Sequence, residues 1–179
     1  DAGFADSGFE HYLNDPGQVG FPWSMIDKIT PRPDEKVREM LTADGFEDVD
    51  NIVTSKKTFA APFVNAEETE YLVIEDLFPN GRPPLERAGV ILTDRETVEK
   101  TERMKVCTCL NPLHTAMALY GCLLGYHKIS EEMNDADIVN LIKKVGYTEG
   151  LRVGTNPGIL DRKEFMDAVV DMRLRNPYM

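Results

Sequence analysis

The chain has 179 residues, of which 42% are hydrophobic, so it is long enough to bury one core and a second small one. Its formal net charge is -11 and its basic residues are not clustered, which argues against a nucleic-acid partner. No apolar run reaches the roughly 18 residues that a membrane helix needs, so we expect no membrane partner either. The three cysteines lie within one predicted helical stretch, which suits a reducing cytoplasm better than a disulfide framework.

The first half of the sequence predicts short elements separated by Pro and Gly. Residues 1 to about 20 predict a short helix and a turn, and residues 21–33 predict a short strand or extended segment. A surface helix is expected to open at Pro33, with acidic residues in its first turn, and to stop at Gly45. Three runs rich in β-favouring residues then predict a small mixed sheet: residues 58–64, 71–78 and 89–93.

The second half of the sequence predicts helices. Asp94 is a suitable N-cap for a helix that continues to about Cys109. Asn111 followed by Pro112 then predicts a second helix start. Two more amphipathic helices are expected near residues 135–145 and 161–173, each with an apolar face: Ile138, Leu141 and Ile142 in the first, and Phe165, Val169 and Met172 in the second.

Between these helices lies the apolar run LHTAMALYGCLLGY, at residues 113–126. A run of this length without charge predicts a helix that is buried on most sides. It also contains small residues that would let another element approach closely: Ala116, Ala118, Gly121 and Gly125.

The sequence contains no phosphate-binding loop of the kind that dinucleotide-binding folds use. A dinucleotide fold needs G-x-G-x-x-G between a strand and a helix, so that backbone amides meet the pyrophosphate. The pair Gly17 and Gly20 has neither flank, and Gly121 and Gly125 lie inside a predicted helix. We therefore expect the nucleotide-binding core to be absent from this chain.

Four polar residues recur where the helical region should be most apolar: Glu102, Lys105, Asn111 and His114. Glu102 and Lys105 share a helix face, and so do Asn111 and His114. A dehydrogenase needs a base for the hydroxyl proton and donors that stabilise the developing alkoxide. A lysine can be that base, because burial favours the free amine, while an amide and an imidazole can hold the oxygen.

Simpler interpretations of the same residues exist. Glu102 with Lys105 is also the pattern of a solvated surface pair, and Asn111 before Pro112 is that of an N-cap. His114 beside an apolar run also fits a core or boundary histidine. A metal site is not expected, because Cys107-x-Cys109 is spaced too tightly for the usual zinc pair.

Three segments carry a family resemblance: FPWSMIDKITPRP, AGVILTDRETVEKTERMK and CLNPLHTAMALYGCLLGY. In this order they resemble the mannitol dehydrogenase family of long-chain polyol dehydrogenases, which includes fructuronate (D-mannonate) and tagaturonate reductases. The resemblance covers most of residues 19 to 178. It implies a helical domain like the C-terminal domain of 6-phosphogluconate dehydrogenase.

The resemblance also implies roles for individual residues. In the family the lysine of the K…LN-x-x-H motif is the general base, and its asparagine and histidine bind and polarise the reacting oxygen. These residues would be Lys105, Asn111 and His114. Glu102 would pass the proton to solvent. Asp27, with Ser24 of the same S-M-[IV]-D segment, would orient the active site or the cofactor.

The sequence departs from the family pattern in two ways. Many members have one residue fewer between the lysine and the asparagine, so we expect a π-bulge or an irregular helix join there. The glycine-rich nucleotide loop and a serine-cysteine-aspartate-asparagine motif, which precede the S-M-[IV]-D segment in the family, are not found. Because the chain starts at Asp1 and ends at NPYM, we expect both ends of a parent protein to be missing.

The resulting prediction is an α+β chain, in which a small mixed sheet is followed by a mainly helical domain. Residues 1–92 would end a nucleotide-binding domain, and residues 93–179 would form a truncated substrate domain. The predicted function is that of a fragment, inactive alone, of an NAD- or NADP-dependent oxidoreductase acting on D-mannonate or fructuronate. Mannitol 2-dehydrogenase is the alternative, and a non-catalytic helical binding or scaffold module is the alternative of another class. The expected partners are a polyol or sugar acid and the remaining segments of the parent chain.

Overall fold

The computed structural model describes residues 3–26, 33–64 and 71–177. The first half contains short strands and two surface helices, and the second half is almost entirely helical. This arrangement confirms the predicted α+β class.

The described residues form three kinds of helix and five short strands. The α-helices are α1 Ser7–Asn14, α2 Glu35–Ala43, α3 Arg95–Glu102, α4 Asn111–Leu124, α5 Ile129–Glu132, α6 Ala136–Lys143, α7 Leu151–Val153 and α8 Arg162–Ala168. The π-helices are π1 Arg103–Leu110, π2 Lys144–Gly150 and π3 Val169–Arg173, and a 3-10 turn covers Leu85–Ala88. The strands are β1 Ser24–Met25, β2 Ile52–Val53, β3 Phe59–Ala60, β4 Val73–Glu75 and β5 Ile91–Thr93.

Aspartates begin five of the described α-helices in a uniform way. The side chain of each accepts a hydrogen bond from a backbone N–H in the first helical turn, which satisfies a donor that the helix itself leaves free. The residues are Asp6, Asp34, Asp94, Asp135 and Asp161. The predicted start at Asp94 is confirmed, and so are the approximate starts of the two later helices.

The small sheet has the order β1-β4-β5. Strands β1 and β4 are antiparallel, with Ser24 opposite Ile74, and β4 and β5 are parallel, with Val73 opposite Ile91. The predicted mixed sheet is therefore confirmed for two of its three segments.

The third predicted segment, residues 58–64, does not join this sheet. Its β3 pairs with β2 in a separate hairpin, where Val53 lies opposite Phe59. A tight turn closes the hairpin, with Lys57 at a φ of 59°. The prediction was wrong here because β-propensity indicates a strand but not its partner, and the nearest partner in sequence was overlooked.

Two apolar clusters hold the described chain together. The larger lies among the helices and includes Met104, Leu113, Met117 and Ile142. The smaller joins the sheet to α3 through Met25, Val73 and Val98, with Val106 and Ile159 packed against it. Since π1 contributes to both clusters, it lies where the sheet meets the helical domain.

Helix α4 is less buried than the sequence predicted. Leu113, Met117 and Gly121 face the core, but the last two turns expose four large apolar side chains: Leu119, Tyr120, Leu123 and Leu124. The prediction of burial on most sides is wrong for the described chain, because only one face of α4 meets other helices.

Gly121, within α4, and Gly125, which directly follows α4, have different structural roles. Gly121 permits close packing as predicted, since a Cβ there would lie 2.2 Å from the Glu132 carboxyl group. Gly125 instead ends the helix in the left-handed conformation, with a φ of 87°. The close-packing role predicted for Gly125 was therefore wrong.

The last helix shows how a π-helix changes the buried face. The predicted face contained Phe165, Val169 and Met172, but Met172 is 53% exposed. Val170 and Leu174 are buried in its place. Because i to i+5 hydrogen bonding in π3 adds a residue to the turn, the apolar face moves away from Met172.

None of the helices in the described ranges has the length and apolar character needed to cross a membrane.

Candidate active site

Lys105 is buried in π1 with 3% of its surface exposed. Its Nζ lies 4.3 Å from the centre of the Tyr71 ring and 5.3 Å from that of Phe165. The two rings meet edge to face, with centres 5.9 Å apart and planes at 82°. The amine thus lies in a corner formed by two aromatic side chains.

The two rings come from distant parts of the chain. Tyr71 precedes β4 and packs against the smaller cluster, whereas Phe165 lies in α8 and packs against the larger one. Lys105 is therefore held where the two clusters meet. A cation on an aromatic face gains about 2 kcal/mol when the pair is desolvated.

Glu102 is the last residue of α3 and is exposed. Within the residues that the structure describes, its carboxylate has no ion-pair partner. Since Lys105 is buried and Glu102 is not, the interpretation of the two residues as a solvated surface pair is wrong.

Asn111 is the first residue of α4 and has helical dihedral angles, with φ of -61° and ψ of -39°. An N-cap has non-helical angles, so the N-cap interpretation is wrong, and so is the predicted break between two helices. In the described part of the chain no hydrogen bond engages the exposed Asn111 side chain. His114 lies three residues later in the same helix and is half-buried, so the two residues share a helix face.

The π-helix accounts for the extra residue between Lys105 and Asn111. The backbone N–H of Asn111 donates to the carbonyl of Val106, five residues earlier. The hydroxyl of Thr108 also reaches back five residues, to the carbonyl of Arg103 at 3.4 Å. The wider turn takes up one more residue without a break, which confirms the predicted bulge.

Of the two other predicted site residues, Ser24 and Asp27, the structure describes only Ser24. Ser24 is an exposed residue of β1, whose neighbour β4 begins two residues after Tyr71. Asp27 lies outside the described residues, so its predicted role stays a prediction.

Of the three cysteines, Cys107 and Cys122 are exposed and Cys109 is buried. They are free thiols, and burial raises the pKa of the Cys109 thiol to about 11. Among the described residues, no three His, Cys, Asp or Glu side chains are grouped so that they could hold a metal ion.

Sequence reasoning missed Tyr71 and Phe165 as site residues. Phe165 was expected only on an apolar helix face, and Tyr71 only within a strand. Neither pattern carries information on which distant side chain a ring will contact, so no sequence signal could have paired them with Lys105.

The comparison with protein families gives a match to the second half of the chain. Residues 97–179 match the family described as the mannitol dehydrogenase C-terminal domain. This range contains Glu102, Lys105, Asn111 and His114.

The comparison with curated proteins includes a D-mannonate oxidoreductase from Thermotoga maritima. It is 56% identical to this chain over 180 residues, which cover 99% of this chain and 33% of that protein. The chain thus spans about a third of the length of this relative.

Two solved structures share the fold. A D-sorbitol dehydrogenase in substrate-free form superposes with a TM-score of 0.77 at 24% identity, over 96% of this chain and 32% of that one. Mannitol 2-dehydrogenase from Pseudomonas fluorescens, in a ternary complex with NAD and D-mannitol, gives a TM-score of 0.68 at 28% identity. That match covers 96% of this chain and 31% of the other.

Proposed function

Since the chain belongs to the mannitol dehydrogenase family, we propose that it is part of an enzyme that interconverts a sugar-derived secondary alcohol and its ketone. The observation that carries this proposal is the buried Lys105 amine, which is followed on the same continuous helix by Asn111 and His114. A buried acid–base group with amide and imidazole donors on the same helix provides the kinds of group that alcohol oxidation requires.

In the oxidation, the Lys105 amine takes the proton of the substrate hydroxyl. The Asn111 amide and the His114 ring hold the reacting oxygen as negative charge develops on it. Glu102, exposed and one turn before Lys105, then passes the proton to water. In the reverse direction the Lys105 ammonium returns a proton to the ketone oxygen.

The nicotinamide cofactor, NAD or NADP, supplies the hydride acceptor when it is bound. The amine, amide and imidazole fit the alcohol side of such a reaction. In contrast, the described residues contain no glycine-rich strand-loop-helix motif that could bind the pyrophosphate of the cofactor. We therefore assign cofactor binding mainly to segments outside this chain, and we assign to Ser24 and Asp27 the role of orienting the active site or the cofactor.

The domain assignment follows from the same proposal. Residues 1–92 would complete a nucleotide-binding domain, and residues 93–179 would begin the helical substrate domain. The remaining segments of the parent chain would cover the exposed apolar side chains of α4. The three free thiols fit a reducing cytoplasm.

The substrate we propose is D-mannonate or fructuronate. Support comes from the high identity to a D-mannonate oxidoreductase over nearly the whole of this chain. Mannitol and fructose are the alternative, because a mannitol 2-dehydrogenase shares the fold. A non-catalytic scaffold has less support, since such a module would use the Asn111 amide in a local cap.

The test is a substrate panel on the complete enzyme, with D-mannonate and mannitol assayed in oxidation and fructuronate and fructose in reduction, each with both cofactors. We expect kcat/KM for the sugar acids to exceed that for the polyol pair by at least about 10-fold. A higher value for mannitol would favour the alternative substrate, and no turnover of any compound would contradict the proposed activity.

A further inference from the structure

We propose that Tyr71 and Phe165 are positioning residues that hold the Lys105 amine on their ring faces and set its readiness to exchange a proton. This inference rests on the proposed function, because it concerns the group that we assign as the base. Neither ring is assigned to contact substrate or cofactor.

The geometry confines the amine from two directions. The planes of the two rings are nearly perpendicular, at 82°, and Nζ lies within 5.3 Å of both ring centres. With 3% of Lys105 exposed, water has little part in orienting the amine. The two rings therefore limit where Nζ can lie on the Tyr71 and Phe165 sides of the amine.

The electrostatics of the rings opposes the effect of burial. Removal of water disfavours the ammonium, whereas the negative face of an aromatic ring favours it. In the oxidation the O–H bond of the alcohol breaks and an N–H bond forms on Lys105, so the amine becomes an ammonium on the ring faces. The rings stabilise this product of proton transfer and leave the free amine unchanged.

A pair of substitutions separates this electrostatic role from packing. Tyr71→Leu keeps an apolar side chain but removes the ring face, and Tyr71→Phe keeps the face and removes only the hydroxyl. Phe165→Leu is an independent variant, on a different element, in case Tyr71→Leu does not fold. Thermal melting of each variant establishes that it is folded.

The first readout does not depend on activity. Acetylation of Lys105 in the complete enzyme is followed against pH by mass spectrometry, with Lys100, whose side chain is 41% exposed, as an internal reference. We expect the midpoint of Lys105 labelling to move to lower pH by about 0.5 to 1 unit in Tyr71→Leu, because the ammonium loses stabilisation. Tyr71→Phe should keep the midpoint of the parent enzyme.

The second readout is the pH profile of kcat/KM for alcohol oxidation. In Tyr71→Leu the acidic limb of this profile should also move to lower pH, by a similar amount. In Phe165→Leu the limb should move less, because the Phe165 ring of the parent enzyme is farther from Nζ than the Tyr71 ring is. An unchanged midpoint and limb in both leucine variants would overturn the inference. If the midpoint moves while the limb does not, the rings do tune Lys105, but Lys105 is not the base and the proposed function fails instead.

Discussion

At Lys105 the fold places an amine where little water reaches it, with 3% of the residue exposed and two ring faces close to Nζ. The pattern of polar residues in an apolar helical region made this lysine a candidate together with Asn111 and His114, and the family resemblance gave the three residues their expected roles. The contacts with Tyr71 and Phe165 could not be predicted, since they join residues that are distant in sequence.

Glu132 is a second buried ionisable residue, and it lies outside the proposed site. It is 4% exposed and packs against Gly121. In the described part of the chain its Oε2 has no hydrogen-bond partner. Burial therefore raises the pKa of this carboxyl group above its usual value.

The raised pKa predicts how Glu132 affects stability. The unfolded chain loses this proton at lower pH than the folded chain does, so folding is penalised as pH rises from the unfolded towards the folded value. We expect Glu132→Gln to raise the free energy of unfolding by about 1 kcal/mol at pH 7, and to have a smaller effect near pH 4. Urea denaturation at several pH values measures this.

Glu131→Gln, at an exposed neighbour, is the matched control and should change stability little at either pH. Equal destabilisation by Glu132→Gln at every pH would mean that the carboxylate is satisfied in the folded protein.

At the scale of elements, helix starts were the most predictable feature. Asp94, Asp135 and Asp161 marked them correctly, because a side-chain oxygen that accepts from the first turn is a local interaction. Two features could not be predicted from local patterns: which strands pair with each other, and which side chains of a π-helix are buried. The exposure of Met172 and the separate β2–β3 hairpin are the two clearest cases.

The π-helix π1 gives a prediction about chain length. If its role is to absorb one residue between Lys105 and Asn111, deletion of the exposed Cys107 should convert the segment to an α-helix and keep the two side chains in register. We expect the shortened complete enzyme to keep at least about a tenth of its kcat/KM, with unchanged helicity by circular dichroism.

The control for this deletion is removal of Ala118 from α4. Because α4 is a regular α-helix, it contains no inserted residue whose removal would restore α-helical geometry. That deletion would rotate the exposed face of the last turns towards the core, and it should destabilise the fold. If deletion of Cys107 abolishes activity while the enzyme stays folded, the π-helix is required in its own right.

At the scale of the whole molecule, a sheet cluster and a helical cluster meet at Lys105 and leave apolar surface on α4. Leu119 and Leu123 are 62% and 81% exposed, and Tyr120 and Leu124 extend the same surface. Large contiguous apolar patches on a protein mark contacts with another surface. This agrees with the proposal that the rest of the parent chain covers α4.

The proposal predicts opposite effects of one substitution in two contexts. In the isolated chain, Leu123→Glu should reduce self-association and the binding of a hydrophobic dye, because it places a charge in the exposed patch. In the complete enzyme it should cost about 2 kcal/mol or more of stability, because the charge would be buried. Asn140→Glu, at an exposed position of α6, is the control and should have little effect in either context. A neutral result in the complete enzyme would mean that α4 stays exposed there.

The central claim is that Lys105 is the base of an alcohol dehydrogenase, and chemical rescue tests it most directly. In the complete enzyme, Lys105→Ala should lower kcat/KM for alcohol oxidation by at least about 100-fold. Added methylamine should restore part of the loss in proportion to the concentration of its free base, while Lys100→Ala should need no rescue. Full activity of Lys105→Ala without added amine would contradict the account.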